Sequence, residues 1–157
     1  MGNHARPAGA DPAADGATAT NYAIRRELAR LNHLPYDHDG HGALPQRTDS
    51  YLWAADHLCA DPRIHDRPAA LRAWGVGPPH VELGADGTVV IAFAVADRRL
   101  TLHVITKRVV LTHCTWGPEG ARTAIEGRLP GTPHGDREEL DALISWLREG
   151  VSRCPES

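Results

Sequence analysis

Between residues 79 and 116 the chain alternates polar and apolar positions with the period of a β-strand, and short breaks divide the run into four pieces. His80 to Leu83 alternates, Ala85-Asp86-Gly87 interrupts it, Thr88 to Val95 is rich in β-formers, Leu100 to Ile105 alternates again, and Val109 to Trp116 follows. This predicts an antiparallel meander. Ala85-Asp86-Gly87 suits a three-residue hairpin loop with Gly87 left-handed. That register places Val81, Leu83, Val89, Ile91, Phe93, Val95, Leu100, Leu102 and Val104 on one face, the predicted core face. Ala92, Ala94, Thr101 and His103 fall on the other, which is small or polar and therefore partly open. The fourth strand has two readings: Val109 and Leu111 point inward, or Val110 and Cys114 do. A slip of one residue exchanges them. Thr123 to Leu129 is a candidate fifth, edge strand.

On either side of the meander the period changes to that of a helix. Ile24, Leu28 and Leu31 form one stripe, predicting a helix from Thr20 or Asn21 to about Leu34, stopped by Pro35. A second helix is expected from Thr48 to Ala60. Thr48 would cap it, Leu52, Ala55, Leu58 and Cys59 would be buried, and Asp61-Pro62 would end it. A short helical turn is expected within 67–74. Near the C-terminus, Leu140, Leu143, Ile144 and Leu147 make an apolar stripe. Asp136 and Glu139 have capping-box spacing, and Gly150 suits the residue after the last turn. The fold class is thus α+β: two N-terminal helices, a four- or five-stranded antiparallel meander, and a C-terminal helix packed on one sheet face. Residues 20–150 form the expected single domain. Met1 to Ala19, rich in Ala, Gly, Pro and Asp without an apolar stretch, reads as a disordered tail and not as a signal peptide, and 151–157 as a frayed end.

Composition narrows the function classes. The formal charge is -3 with neutral histidines, so no bulk field draws the chain to nucleic acid. All but one of the 17 basic residues are arginine, the exception being Lys107. No apolar run approaches the roughly 20 residues of a membrane span. The three cysteines, Cys59, Cys114 and Cys154, are odd in number and far apart, as in a reducing cytoplasm.

Asp39-Gly40-His41-Gly42-Ala43-Leu44-Pro45 between two helices, and Asp86-Gly87-Thr88-Val89-Val90-Ile91-Ala92-Phe93 opening a central strand, carry a resemblance. Together they resemble a loose group of small bacterial proteins with a Trp-Asp-Gly-Tyr-Gly-Ala-x-Pro segment between two helices, followed by a meander with an Asp-Gly hairpin. The resemblance spans about residues 21 to 148. His38 stands where the group has Trp, His41 where it has Tyr, and Phe93 where it has Trp. It implies the α+β layout and no reaction chemistry.

Four sets of residues are candidates for chemistry. Asp37-His38-Asp39-Gly40-His41, with His33 upstream and His103 on the sheet, has the donor types for zinc, manganese or iron. The turn reading of that loop is preferred: Asp39 accepts backbone N–H bonds, Gly40 and Gly42 supply positive φ, and no cofactor is needed. His103, His113 and Cys114 lie on adjacent strands, but His113 and Cys114 face opposite ways and do not make a catalytic pair. Arg25, Arg26, Arg30 and Arg47 could form a basic face, while Arg98, Arg99, Lys107 and Arg108 divide between two ends of one strand. Ser50, Ser145 and Ser152 lack a nucleophile-elbow context. Trp53, Trp74, Trp116 and Trp146 read as core and rim aromatics. The reading that remains is a small cytoplasmic, non-catalytic protein that binds another macromolecule, most plausibly a protein, in an accessory, immunity or antitoxin-like role. A metal-dependent enzyme using the Asp37–His41 loop is the alternative, and a nucleic-acid binder using the arginine face the third.

Overall fold

The computed structural model describes residues 24–58, 76, 79–118 and 122–150. It is an α+β fold. Helix α1 covers residues 24–32 and α2 is Thr48–Leu58. Five strands follow: β1 His80–Leu83, β2 Val89–Val95, β3 Arg98–Thr106, β4 Val109–Trp116 and β5 Thr123–Arg128. They form one sheet in the order β1-β2-β3-β4-β5, every neighbour antiparallel. Helix α3, Pro133–Glu149, closes the chain. The start of α1, the continuation of α2 to Ala60, the turn within 67–74 and both tails lie outside the described residues.

The core forms where the alternation placed it. Val81, Val89, Ile91, Phe93, Leu100, Leu102 and Val104 are buried, and Leu83 and Val95 pack against them half-buried. Ile24, Leu28 and Leu31 of α1 and Leu140, Leu143, Ile144 and Leu147 of α3 join the same cluster. All three helices therefore cover one face of the sheet. Trp146 is also in it, edge-on to Trp116 with ring centres 5.9 Å apart.

Two helix readings are corrected. In α2 the buried residues are Ser50, Trp53, Ala54, His57 and Leu58, and Leu52 is 44% exposed. The helix is rotated from the Leu52–Ala55 stripe because Ser50 and Trp53 find polar partners on the sheet and on α3. Its first intrahelical bond runs from Tyr51 N–H to the Arg47 carbonyl, so Arg47 and not Thr48 takes the cap position. Helix α3 begins a turn earlier than Asp136 and Glu139 suggested. Thr132 is its N-cap, accepting from Gly135 N–H, and Pro133 starts the first turn. Asp136 is thereby inside the helix and buried. Glu139 is half-buried, with Oε1 unpartnered and its carboxyl pushed above the usual range by burial. Gly150, at φ 70°, caps the other end with its N–H on the Trp146 carbonyl. Arg98 adds a cation there, donating from Nε to the Leu147 carbonyl at 2.9 Å.

The open question of β4 is decided by a bulge. Thr106 pairs with Val109, but Val104 pairs with Val110, leaving Ile105 as an extra residue in β3. That one residue turns Val110, Thr112 and Cys114 inward and Leu111 outward. The carbonyls of Val104 and Ile105 both accept the hydroxyl of fully buried Ser50, at 2.8 and 3.1 Å. Ser50→Ala should therefore lower stability by about 1–3 kcal/mol, since it leaves buried carbonyl groups without a donor. Denaturant melts would measure it, and a cost near zero would remove Ser50 as the support of the bulge.

Candidate functional site

The loop between α1 and α2 is held by its own carboxylates. Asp39 Oδ1 accepts from the His41 and Ala43 N–H groups at 2.8 and 3.1 Å. These bonds, the one to His41 foremost, hold its carboxyl below the usual range. Asp37, itself at φ 61°, accepts from Gly42 N–H, and Gly40 and Gly42 are also at positive φ. The loop then docks on the β1–β2 hairpin: Leu44 N–H donates to the Ala85 carbonyl and Arg47 N–H to the Gly87 carbonyl, both at 2.8 Å. Residues 37–47 and the β1–β2 hairpin are thus one unit. His33 and His41 are exposed and His38 is half-buried with Nε2 unpartnered. Among the described residues no group of three His, Cys, Asp or Glu side chains could hold a metal ion.

His103 belongs to a different network. Asp86 Oδ1 accepts from the Thr88 N–H and, at 2.5 Å, from its hydroxyl, and Thr88 Oγ1 lies 2.7 Å from His103 Nε2. The single Thr88 hydroxyl proton goes to Asp86, so His103 Nε2 carries the hydrogen on the second contact. The order is Asp–Thr–His. A nucleophilic triad needs the imidazole in the middle to take the hydroxyl proton, so this chain braces the hairpin and does not activate Thr88. The Thr88 bonds hold the Asp86 carboxyl below its ordinary range. Thr88 is fully buried and was not singled out from the sequence. The signal was there in Asp86-Gly87-Thr88, where a short acceptor precedes a hydroxyl by two positions.

His103 and His113 do come together, diagonally across β3 and β4: His103 pairs with Leu111, and Thr101 with His113. His113 Nδ1 lies 3.4 Å from Glu126 Oε1 on β5. Val90, Thr101, His103, Leu111, His113 and Glu126 line a hollow of about 370 Å³. It lies on the sheet face that no described helix covers. Leu111 is 39% exposed there, an apolar side chain placed outward by the bulge. Cys114 is buried on the other face, away from His113.

No protein-family model, curated protein or solved structure matches the chain.

Arg25, Arg26, Arg30 and Arg47 are exposed, and Arg30 Nε is bonded to Glu27 at 2.7 Å. Arg98 is engaged at the end of α3, while Lys107 and Arg108 occupy the β3–β4 turn. No helix among the described residues is long and apolar enough to cross a membrane.

Proposed function

We propose that this is a small cytoplasmic, non-catalytic protein that binds another protein through the sheet face that no described helix covers, in an accessory, immunity or antitoxin-like role. The observation that carries the reading is the hollow around Leu111. A five-stranded sheet with helices on one side leaves the other side as a broad, firm surface. Val90, His103 and Leu111 lie side by side across β2, β3 and β4, with Thr101, His113 and Glu126 in the neighbouring row, so apolar and polar groups alternate along the hollow. Interfaces concentrate their energy in a few such places, where an aromatic or aliphatic anchor fills a hollow and polar neighbours exclude water. The surface is firm because the Asp86–Thr88–His103 chain and the β3–β4–β5 register fix the lining before any partner arrives. The net charge of -3 favours a protein over nucleic acid as that partner.

The test is a Leu111→Glu variant. A partner retained by the wild-type chain is purified and titrated against both proteins. The expected result is a loss of roughly thirty-fold in affinity, the effect of removing about 2 kcal/mol at an anchor. The thermal melt should stay close to wild type, because Leu111 is on the open face. Equal affinity for the two proteins would dismiss this face as the interface.

A further inference from the structure

The sheet face that no described helix covers carries an ordered charge pattern. Strand register sets its outward side chains in rows. One row runs from β1 to β5 as Glu82, Val90, His103, Leu111 and Arg128. The next runs as His80, Ala92, Thr101, His113 and Glu126. A third, shorter row holds Ala94, Arg99, Thr115 and Ala124. All of these residues are exposed or half-buried, while Val81, Ile91, Leu102, Cys114 and Ile125, which alternate with them, point to the core. The corners of the first two rows fall on the edge strands: Glu82 and His80 on β1, Arg128 and Glu126 on β5.

This arrangement is self-complementary. Consider a second copy turned about a two-fold axis along β3 and laid face to face on the first. Each row then meets itself in reverse, with β1 of one copy over β5 of the other. Glu82 comes opposite Arg128, and His80 opposite Glu126, twice each. Leu111 comes opposite Val90, also twice. Thr101 and His103 meet their own copies on the axis. The His80 imidazole is a proven partner for a carboxylate, lying 3.2 Å from Glu82 in the single chain. Arg99 opposes its own copy in the third row. It is exposed and one residue from the start of β3, so its long side chain can turn out to water.

Size and charge both bear on the occupant. Two sheets packed face to face lie about 10 Å apart, within reach of glutamate and arginine from either side. Strands about 4.8 Å apart and rows about 6.8 Å apart give three rows a footprint of roughly 24 by 20 Å, about 500 Å² on each copy. About 1,000 Å² in all is the lower limit of a specific interface, so the contact is weak and reversible. A uniformly acidic or uniformly basic partner would place like charges together at some of the corners. A copy of the same face places unlike charges together at all four, which is how an interface fixes register and refuses wrong partners.

We propose that the partner of the open face is a second copy of this chain, packed sheet to sheet as a two-fold dimer. The inference rests on the reading of that face as a protein interface and names its occupant. In such a dimer the same patch serves both subunits, so each residue of the pattern acts twice.

The test is sedimentation of the full chain from about 5 µM to about 1 mM, with Kd expected between about 10 and 100 µM. Leu111→Glu sets a carboxylate on Val90 at two places and should lose at least about thirty-fold. Glu82→Arg and Arg128→Glu should each lose roughly ten-fold, because each sets like charges opposite one another. Glu82→Arg/Arg128→Glu in one chain restores the unlike pair with its signs exchanged, and should return to within about three-fold of wild type. Arg99→Gln removes the repulsion on the axis and should bind roughly three-fold tighter. All four side chains are exposed, so melts taken at about 1 µM, below Kd, should match wild type. A chain still monomeric at about 1 mM would overturn the dimer, and the titration of Leu111→Glu against a different protein would then decide the interface reading by itself. Association left intact by Leu111→Glu would place the contact elsewhere, such as along the β5 edge, and overturn the proposal. A double variant no stronger than the two single ones would overturn the axis along β3 and the pairing drawn from it.

Discussion

Gly87→Val is expected to cost about 4–7 kcal/mol, close to the whole stability of a small domain. Three effects add at this position. Gly87 is at φ 83°, where a β-branched residue is strongly disfavoured. A Cβ built there would overlap the Pro45 carbonyl oxygen and stand 3.1 Å from Arg47 Cγ. The side chain can be relieved only by moving the α1–α2 loop away, and that movement breaks the Leu44–Ala85 and Arg47–Gly87 backbone bonds. Overpacking of this kind costs about 1–3 kcal/mol, left-handed strain roughly 1–2, and each lost bond about 1. Gly87→Ala keeps the overlap and the unfavourable φ without the second branch, so it should fall between wild type and the valine variant. Urea melts of the three proteins would decide it. A valine variant within 1 kcal/mol of wild type would mean that the loop does not press on the hairpin.

Asp136→Ala should be comparably severe, at about 3–6 kcal/mol for the loss of two hydrogen bonds to a carboxylate. The side chain is 1% exposed and joins three parts of the fold: α2 through Trp53 Nε1, the approach to α3 through Gly131 N–H, and α3 itself. Removing it strands a buried indole N–H and leaves a half-buried backbone N–H without its acceptor. Asp136→Asn is the informative companion. Its one carbonyl oxygen can serve one donor, while its amide turns a donor toward the other, so it should lose roughly half as much. Chemical denaturation of both variants, with the Trp53 indole resonance as a local reporter, would test the ordering. If Asp136→Ala behaved like an ordinary surface change of under about 0.5 kcal/mol, the tie between the two helices would be discounted.

The Asp37–His41 loop carries residue types that serve either a metal or a turn. Its histidines and aspartates are the right donors for a metal. In the fold, Asp37 and Asp39 each give Oδ1 to backbone N–H groups of their own loop, and His103 on the sheet is bonded to Thr88. The tie between Trp53 and Asp136 was the least legible, because the two residues stand 83 positions apart and no local spacing unites them.

Local pattern was enough where a residue's surroundings are set by its near neighbours in the chain. Period-two alternation placed the nine-residue core face from Val81 to Val104, and Asp86-Gly87 placed the hairpin, because a strand's facing and a tight turn depend on the few residues at hand. The stripe of α3 and its stop at Gly150 were legible for the same reason. Tertiary structure decided the rest. The rotation of α2 depends on Asp136 and on the bulge carbonyls, partners that lie far along the chain. The start of α3 moved because a buried Asp136 is worth more as an acceptor for Trp53 and Gly131 than as a cap. The facing of β4 hung on one extra residue, Ile105, whose carbonyl and that of Val104 required a donor, and Ser50 on a distant helix supplied it. Alternation has the same period on either side of such a slip, so only the group that satisfies the bulge can choose between the two registers, and that choice is what leaves Leu111 facing outward.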